Sequence, residues 1–390
     1  MLKKYIRLLL SFILIFSVAP LCQALDKKPI TFALSLSLTG ENSRIGSSIK
    51  NGLLLWQKQV NSGQGILGHP VKLIFTDDQG DPKRAMTIYQ DYVRNKNINF
   101  LFSPYNSKLT GAIMPIVEQA KIPLIAMIAN SSELWSKGYK NIFGLLQVST
   151  NITNDFIEIL ALDGDHKLAI LGIDDAFGRS VADGAQEWAD SIGVDIVLNH
   201  IFNKNEFSFN KLAKRVIQTN ATDLIFTGSL EETIAMRRAL ANNPSRPMTF
   251  FSAASGAADA YYQAELGPLA EHTVTSIWWV TNVQYDDANV TSFKNAYHTQ
   301  FKQPPSYISA LSYAAGEIFQ EAIERAGSIN AQQVRETILS LNTVTVIGRF
   351  AVDKTGKQIK QRQFLSQWQN GVLQTVWPKS LSSTTIVLEK

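Results

Sequence analysis

Cysteine is almost absent: among 390 residues only Cys22 carries a thiol. With that residue in the leader described below, the mature chain is expected to hold no thiol, no disulfide and no cysteine-ligated metal. Histidine is scarce as well. The five, at positions 69, 166, 200, 272 and 298, show neither HExxH nor HxH spacing, and none is expected to ligate metal. The chain also lacks a GxSxG nucleophile elbow and a P-loop, so nothing in it calls for catalysis or a cofactor. A marked excess of one charge sign is missing too. With Lys3, Lys4 and Arg7 set aside as leader, 34 basic residues face 33 acidic ones, and the pI near 8.9 is no argument for nucleic acid. No run of Lys and Arg interleaved with aromatics supports that partner either. Beyond the N-terminus, no apolar run reaches membrane-spanning length.

What is present begins with a leader. A basic start precedes the apolar run Leu8–Val18, too short to span a bilayer comfortably, and Pro20 closes it. Cys22-Gln23-Ala24 resembles a small-residue cleavage site, predicting a signal peptide over 1–24 and an exported product. The competing reading is a lipoprotein acylated at Cys22, but Leu21 precedes that cysteine where a small residue is wanted.

The stretch from Asn97 to Trp135 organises the remainder. Ile98, Phe100 and Phe102 alternate as a strand does, and Ser103-Pro104-Tyr105-Asn106-Ser107 breaks the run with turn formers. A helix over about 108–120 follows. Lys121-Ile122-Pro123 stops it, and the strand Leu124–Met127 ends in Ile128-Ala129-Asn130-Ser131-Ser132. Two successive strands thus deliver hydroxyl- and amide-rich loops to one carboxyl edge of a parallel sheet, where ligands bind in open α/β folds. The plainer alternative is two ordinary helix caps, since Ser and Asn are the usual N-cap residues.

From Ile30 to Val352 strand-like runs mostly alternate with amphipathic helices, predicting a βαβ architecture. Ile49, Leu53, Trp56 and Val60 recur at helical spacing and read as core. Gly63-Gln64-Gly65-Ile66-Leu67-Gly68 is a literal GxGxxG in the wrong context, since it follows a helix and leads into a strand; it reads as a helix stop and a turn. In Asp77-Asp78-Gln79-Gly80-Asp81-Pro82 the acids invite a catalytic reading, but Asp81 before Pro82 is better taken as an N-cap. A second alternation begins at Lys167. Asn370-Gly371 between two apolar runs predicts a type I′ hairpin. Crossings are expected near 147–151, 278–280 and 348–356. They give a lobe of residues 25–148 plus 280–349, and another of 149–279 plus 350–390, joined by a three-crossing hinge.

These residues resemble the branched-chain amino acid (Leu/Ile/Val) type of periplasmic solute-binding protein that serves ABC importers. The signature includes Leu38-Thr39-Gly40, Ile45-Gly46, Asn51-Gly52, the Asn61…Gly68 turn, Asp77–Pro82, Asp175-Ala176-Phe177-Gly178 and Gly348…Asp353…Gly356. Coverage is essentially the whole mature chain, with Gln64 standing where the family usually has Gly. The resemblance implies an α/β fold of two Rossmann-like lobes, a type I Venus flytrap, closing on a small solute and passing it to an inner-membrane permease. A monomer is expected, and the rival function is a sensor with the same cleft, signalling to a membrane receptor.

By position, the resemblance assigns Arg44, Ile45, Tyr105, Asn106, Ser107, Ile128, Ala129 and Asn130 to the first lobe's share of the ligand site. Phe177 stands for a stacking tyrosine and Ser229-Leu230 for another. Ala253-Ala254 occupy the positions where amino-acid binders place the acid that pairs with the ligand ammonium. An enclosed ammonium without a partner costs several kcal/mol. Either another acid serves (Asp175 first, then Glu231 or Asp259), or the solute is a partly apolar acid, amide or alcohol.

Overall fold

The computed structural model describes residues 27–203, 208–243, 247–253, 255–280 and 288–389. The first half of the alternation runs β1 (Ile30–Leu36), α1 (Ser43–Ser62), β2 (Val71–Asp77), α2 (Pro82–Arg94), β3 (Phe100–Phe102), α3 (Ser107–Ala120), β4 (Leu124–Ala126), α4 (Glu133–Ser136) and β5 (Ile142–Gly144). Its five strands form one parallel sheet in the order β2-β1-β3-β4-β5. All seven residues of β1 are buried, as a central strand covered by helices on both faces requires. At the start of α2 the Asp81 carboxylate accepts from the Lys83 and Arg84 N–H groups, with Pro82 at the first helical position, as the sequence indicates. The GxGxxG segment is a helix stop and turn: Gly65, Leu67 and Gly68 all have positive φ, and Ile66 pairs with His69.

The second half runs α5 (Asn154–Asp163), β6 (Lys167–Ile173), α6 (Ala176–Ile192), β7 (Asp195–Phe202), α7 (Phe209–Gln218), β8 (Asp223–Phe226), α8 (Leu230–Ala241), β9 (Thr249–Ser252), α9 (Ala260–Leu266) and β10 (Val274–Ile277). The chain then makes α10 (Ala288–Phe301), α11 (Tyr307–Ala326), α12 (Ala331–Ser340), the small hairpin β11 (Asn342–Thr345) and β12 (Gly348–Ala351), and finally β13 (Phe364–Gln369) and β14 (Val372–Trp377). The second sheet has seven strands in the order β14-β13-β10-β9-β8-β6-β7. Strands β6 to β10 form its parallel part, while β13 and β14 close one edge antiparallel. The β13–β14 turn has φ of 54° at Asn370 and 73° at Gly371, the type I′ geometry that the Asn-Gly pair predicts.

Helix α11 belongs to the first sheet: it packs along α1, with Phe319 against Phe32, Phe100 and Phe102 at ring separations of 5.2–5.3 Å. The chain therefore passes between the two sheets three times. After β12, Gly356 still lies against the first sheet, its carbonyl accepting from Gly144 N–H. Gln358 Nε2 then donates to Leu145 O, and Gln361 Nε2 to Trp278 O, so side chains of the third passage lace the other two together. The tail past β14 folds back over β13: Gln367 exchanges bonds with Val387 in both directions, and Glu389 N–H donates to Thr249 Oγ1. Among the described residues no helix is long and apolar enough to cross a membrane.

Candidate functional site

The carboxyl edges of the two sheets face one another, and the polar loops fill the seam. Ser107 Oγ accepts from the N–H groups of Asn130 (3.2 Å) and Ser131 (3.1 Å), which binds the two loops after β3 and β4 to each other. Asn130 Nδ2 donates to Gln147 O at 2.9 Å. The seam then crosses between lobes. Ser131 Oγ donates to Ala176 O at 2.8 Å, at the start of α6. Ser180 Oγ, one turn on, accepts from Ser149 Oγ (2.7 Å) and Ser132 N–H (3.2 Å) and lies 3.0 Å from Ser132 Oγ.

Three of the expected site residues cap helices. Asn106 Oδ1 accepts from Leu109 N–H, Asp175 Oδ1 from Gly178 N–H, and Ser229 forms a full capping box with Glu232. Burial raises the Asp175 carboxyl above its ordinary range, against the N–H groups of Gly178 and Phe177 and the charges of Arg179 and Lys108. Lys108 sits on α3, so the opening turns of α3 and α6 approach across the seam. Tyr105, Ile128 and Phe177 are half-buried and pack on the main core, and Ala129 is buried in the core beneath α2 and α3. Ala254 lies outside the described residues.

Arg44, Ile45 and Leu230 line a cleft of about 440 Å³ between the lobes. On the first lobe's side it is walled by the start of α1 and by the Gln303–Ser306 link into α11, ending in Tyr307 and Ile308. On the second lobe's side stand Leu230, the segment around Asp259, and Trp368 and Leu373 of the β13–β14 hairpin. Trp279, at the second passage between lobes, closes the back. Trp279 is held by an edge contact to Phe293 with ring centroids 5.8 Å apart. Trp368 is fixed by an Nε1–H bond to Ala257 O at 2.8 Å. Gly256 lets the segment before Asp259 pack on the start of α8 within the second lobe's wall, because a Cβ there would stand 2.5 Å from Leu230 Cβ.

Trp279, Tyr307, Trp368 and Leu373 are cleft residues that sequence reasoning missed. The Trp278-Trp279 pair at a crossing, and Pro304-Pro305 before a serine cap, were the available signals. Of the acids weighed as substitutes for the missing family carboxylate, Asp175 is committed to its cap, Glu231 is exposed on α8, and Asp259 lines the cleft. Asp259 meets Arg44 across the cleft, Nη2 to Oδ1, at 3.5 Å. The Arg44 guanidinium also lies 4.7 Å from the centre of the Tyr261 ring. Among the described residues no group of three or more His, Cys, Asp or Glu could hold a metal.

The family model described as periplasmic binding protein matches residues 29–372. This chain belongs to that family. The binding protein is 24% identical, over 359 residues, to a Leu/Ile/Val-binding protein of Rhizobium johnstonii, covering 90% of this chain and 94% of the relative. A leucine-binding protein from Thermotoga maritima shares the fold with a TM-score of 0.80 at 18% identity, over 89% of this chain and 97% of that one. A solute-binding protein of an ABC transporter from R. palustris, in complex with benzoate, matches with a TM-score of 0.77 at 15% identity, over 93% and 99% of the two chains. The binding protein therefore has the two-lobed type I periplasmic fold.

Proposed function

We propose that this chain is the periplasmic substrate-binding protein of an ABC importer, and that it captures one small solute in the cleft between its lobes. The observation that carries this reading is the cleft itself: both lobes contribute walls, and its volume of about 440 Å³ lies within the roughly 300–1,000 Å³ typical of small-molecule sites. Its lining among the described residues is mostly apolar and aromatic with a single pair of opposite charges, which suits an amino-acid-like solute or a partly apolar acid, amide or alcohol. Relatives named for leucine, isoleucine and valine, and a fold neighbour holding benzoate, fall in that size range.

Capture follows from the two-lobe arrangement. A solute touching both walls binds the closed form better than the open one, and that differential affinity sets the closed population. The lobes of 25–148 with 280–349, and of 149–279 with 350–390, would pivot on the three passages. The seam residues Ser107, Asn130 and Phe177 are proposed to complete the site on closure, beside Arg44, Ile45 and Leu230. Partners are the solute and an inner-membrane permease; the protein acts as a monomer, without catalysis, after removal of residues 1–24 and export.

A panel of small solutes screened by thermal shift tests this reading. A binder at one hundred times its Kd adds about 2.7 kcal/mol to stability, and it is recovered chemically unchanged. Turnover of the stabilising solute, or no stabilisation by any member of a broad panel, would overturn the proposal.

A further inference from the structure

The third passage between the lobes has an inner and an outer side. In Lys357-Gln358-Ile359-Lys360-Gln361-Arg362-Gln363 the three glutamines are buried, Lys357 is half-buried, and Ile359, Lys360 and Arg362 are exposed. The glutamine amides donate to the carbonyls of Leu145, Trp278 and Ile152, so this segment lies over the other two passages as the outer layer of the hinge. Gln358 Oε1 also accepts from the Ile359 and Lys360 N–H groups, both at 2.9 Å, which fixes the backbone from which the outward side chains project.

Strand pairing extends that outer side over the β11–β12 hairpin. Val344 stands opposite Arg349 and Asn342 opposite Ala351, while Ile359 N–H donates to Ala351 O and Asp353 N–H to Lys357 O. Directly opposed residues of antiparallel strands share a face, so Val344, Arg349, Lys357 and Ile359 lie on one side of a small three-stranded surface. Val344 is 58% and Ile359 51% exposed. From Arg349 to Arg362 the chain carries five basic residues (Arg349, Lys354, Lys357, Lys360 and Arg362) and one acid, Asp353. The Asp353 carboxylate is already occupied by the Thr355 hydroxyl and by the N–H groups of Thr355 and Lys357. At the far end Asp155 accepts from Gln363 Nε2. Among the described residues none of the five cations makes a salt bridge, although Lys357 is close enough to Asp353 to favour its charge. The rest of the mature chain holds 29 basic residues against 32 acidic ones, so positive charge is concentrated on this face.

Single exposed apolar side chains flanked by unpaired cations suit an anionic bilayer: headgroups hold the cations and the apolar tips enter the interface. Such a partner needs no matched register of donors and acceptors, and this face offers little beyond its charges. We infer that the outer face of the hinge docks the protein onto a membrane carrying anionic phospholipid, an inference that goes beyond solute capture and rests only on the export part of that reading. The pivot is displaced least as lobes close, so docking there leaves capture free to proceed.

Co-sedimentation of the full mature chain with vesicles of phosphatidylcholine, alone or with a quarter of phosphatidylglycerol, tests this assignment. Binding is expected only with phosphatidylglycerol present, and it weakens as salt is raised. Each basic residue near such a surface is worth about fivefold in affinity, so the combined variant Lys354→Gln, Lys360→Gln, Arg362→Gln is expected to bind at least tenfold more weakly. Ile359→Ser is expected to weaken binding several-fold with no change of charge. A control that removes the same charge elsewhere, Lys58→Gln, Lys83→Gln, Lys96→Gln, is expected to bind as the wild type does; all chains are first matched by their thermal midpoints. A wild-type chain that ignores phosphatidylglycerol, or that binds both vesicles equally, overturns the inference, as does an equal loss in the two triple variants. The solute panel decides the capture reading by itself, so either reading can fail alone.

Discussion

Asp77 and Asp78 stand next to each other, yet they do separate structural work. Asp78 is fully buried and accepts from Ser35 Oγ (2.6 Å), Ser37 Oγ (2.7 Å) and Gly80 N–H (2.9 Å). Replacing it with alanine strands two buried hydroxyl donors and the half-buried Gly80 N–H. At roughly 1–3 kcal/mol for each group left unsatisfied, Asp78→Ala is expected to lose several kcal/mol in urea unfolding, far more than an exposed Asp91→Ala control. Asp353 anchors a turn in the same manner. Burial raises its carboxyl, but the Thr355 hydroxyl and N–H, the Lys357 N–H and the Lys357 charge outweigh that and hold it below the ordinary range. Because its native value lies below the unfolded one near 3.9, its contribution is complete above about pH 4 and is lost as pH falls through the native value. Asp353→Asn should therefore flatten the acid limb of the stability curve below about pH 4 while changing its slope little near neutrality. At this scale the sequence was readable wherever chemistry is local: the Asp81 cap and the Asn370-Gly371 turn need only their neighbours. The Arg44–Asp259 contact joins residues 215 positions apart, and nothing local announces it.

Helices α1 and α11 show how two elements read the same small residues. A Cβ on Gly316 would stand 2.3 Å from the Trp56 ring, and one on Gly52 would stand 2.2 Å from Ser309 O. The glycines are there to let the helices touch, and Trp56 fills the gap they leave, reaching Gln320 through its Nε1–H. Gly316→Ala is expected to force the indole aside at a cost of about 1–3 kcal/mol, read as a fall in Tm, while Gly327→Ala gives a strain effect without a clash. Periodicity located the helix over 108–120 to within a residue of Ser107–Ala120, but it gave no helix for Asn154–Asp163. It missed β11 because the β11–β12 turn is Val346-Ile347, an apolar pair that is almost fully buried and carries no turn chemistry. It also drew β3, β4 and β5 longer than the three residues each pairs, since apolar character runs past the point where the strands diverge toward the seam.

For the molecule as a whole, the serine seam and the cleft act on one motion. Ser180 is the point where the loop after β4 meets the second lobe, beside Ser149 at the first passage. Ser180→Ala leaves those donors without an acceptor and should cost about 1–3 kcal/mol. It should also raise the radius of gyration of the solute-free protein in small-angle scattering, with saturating solute restoring the compact value. The two-lobe plan was legible because each lobe repeats strand, loop and helix in order. The cleft wall was less so. Its aromatic residues Trp279, Tyr307 and Trp368 are contributed by the second passage, α11 and the final hairpin, segments whose convergence only the topology decides. That same interleaving bears on how the protein can be dismantled. The second sheet lacks its β13 and β14 border until residue 377, and the first lacks its α11 cover until residue 326. No single cut yields an autonomous half: a product ending at Ala351 would leave the backbone of β10 bare, an invitation to intermolecular pairing. Expression of residues 27–351 alone should give aggregates, and biogenesis must wait for almost the entire polypeptide before either module is whole.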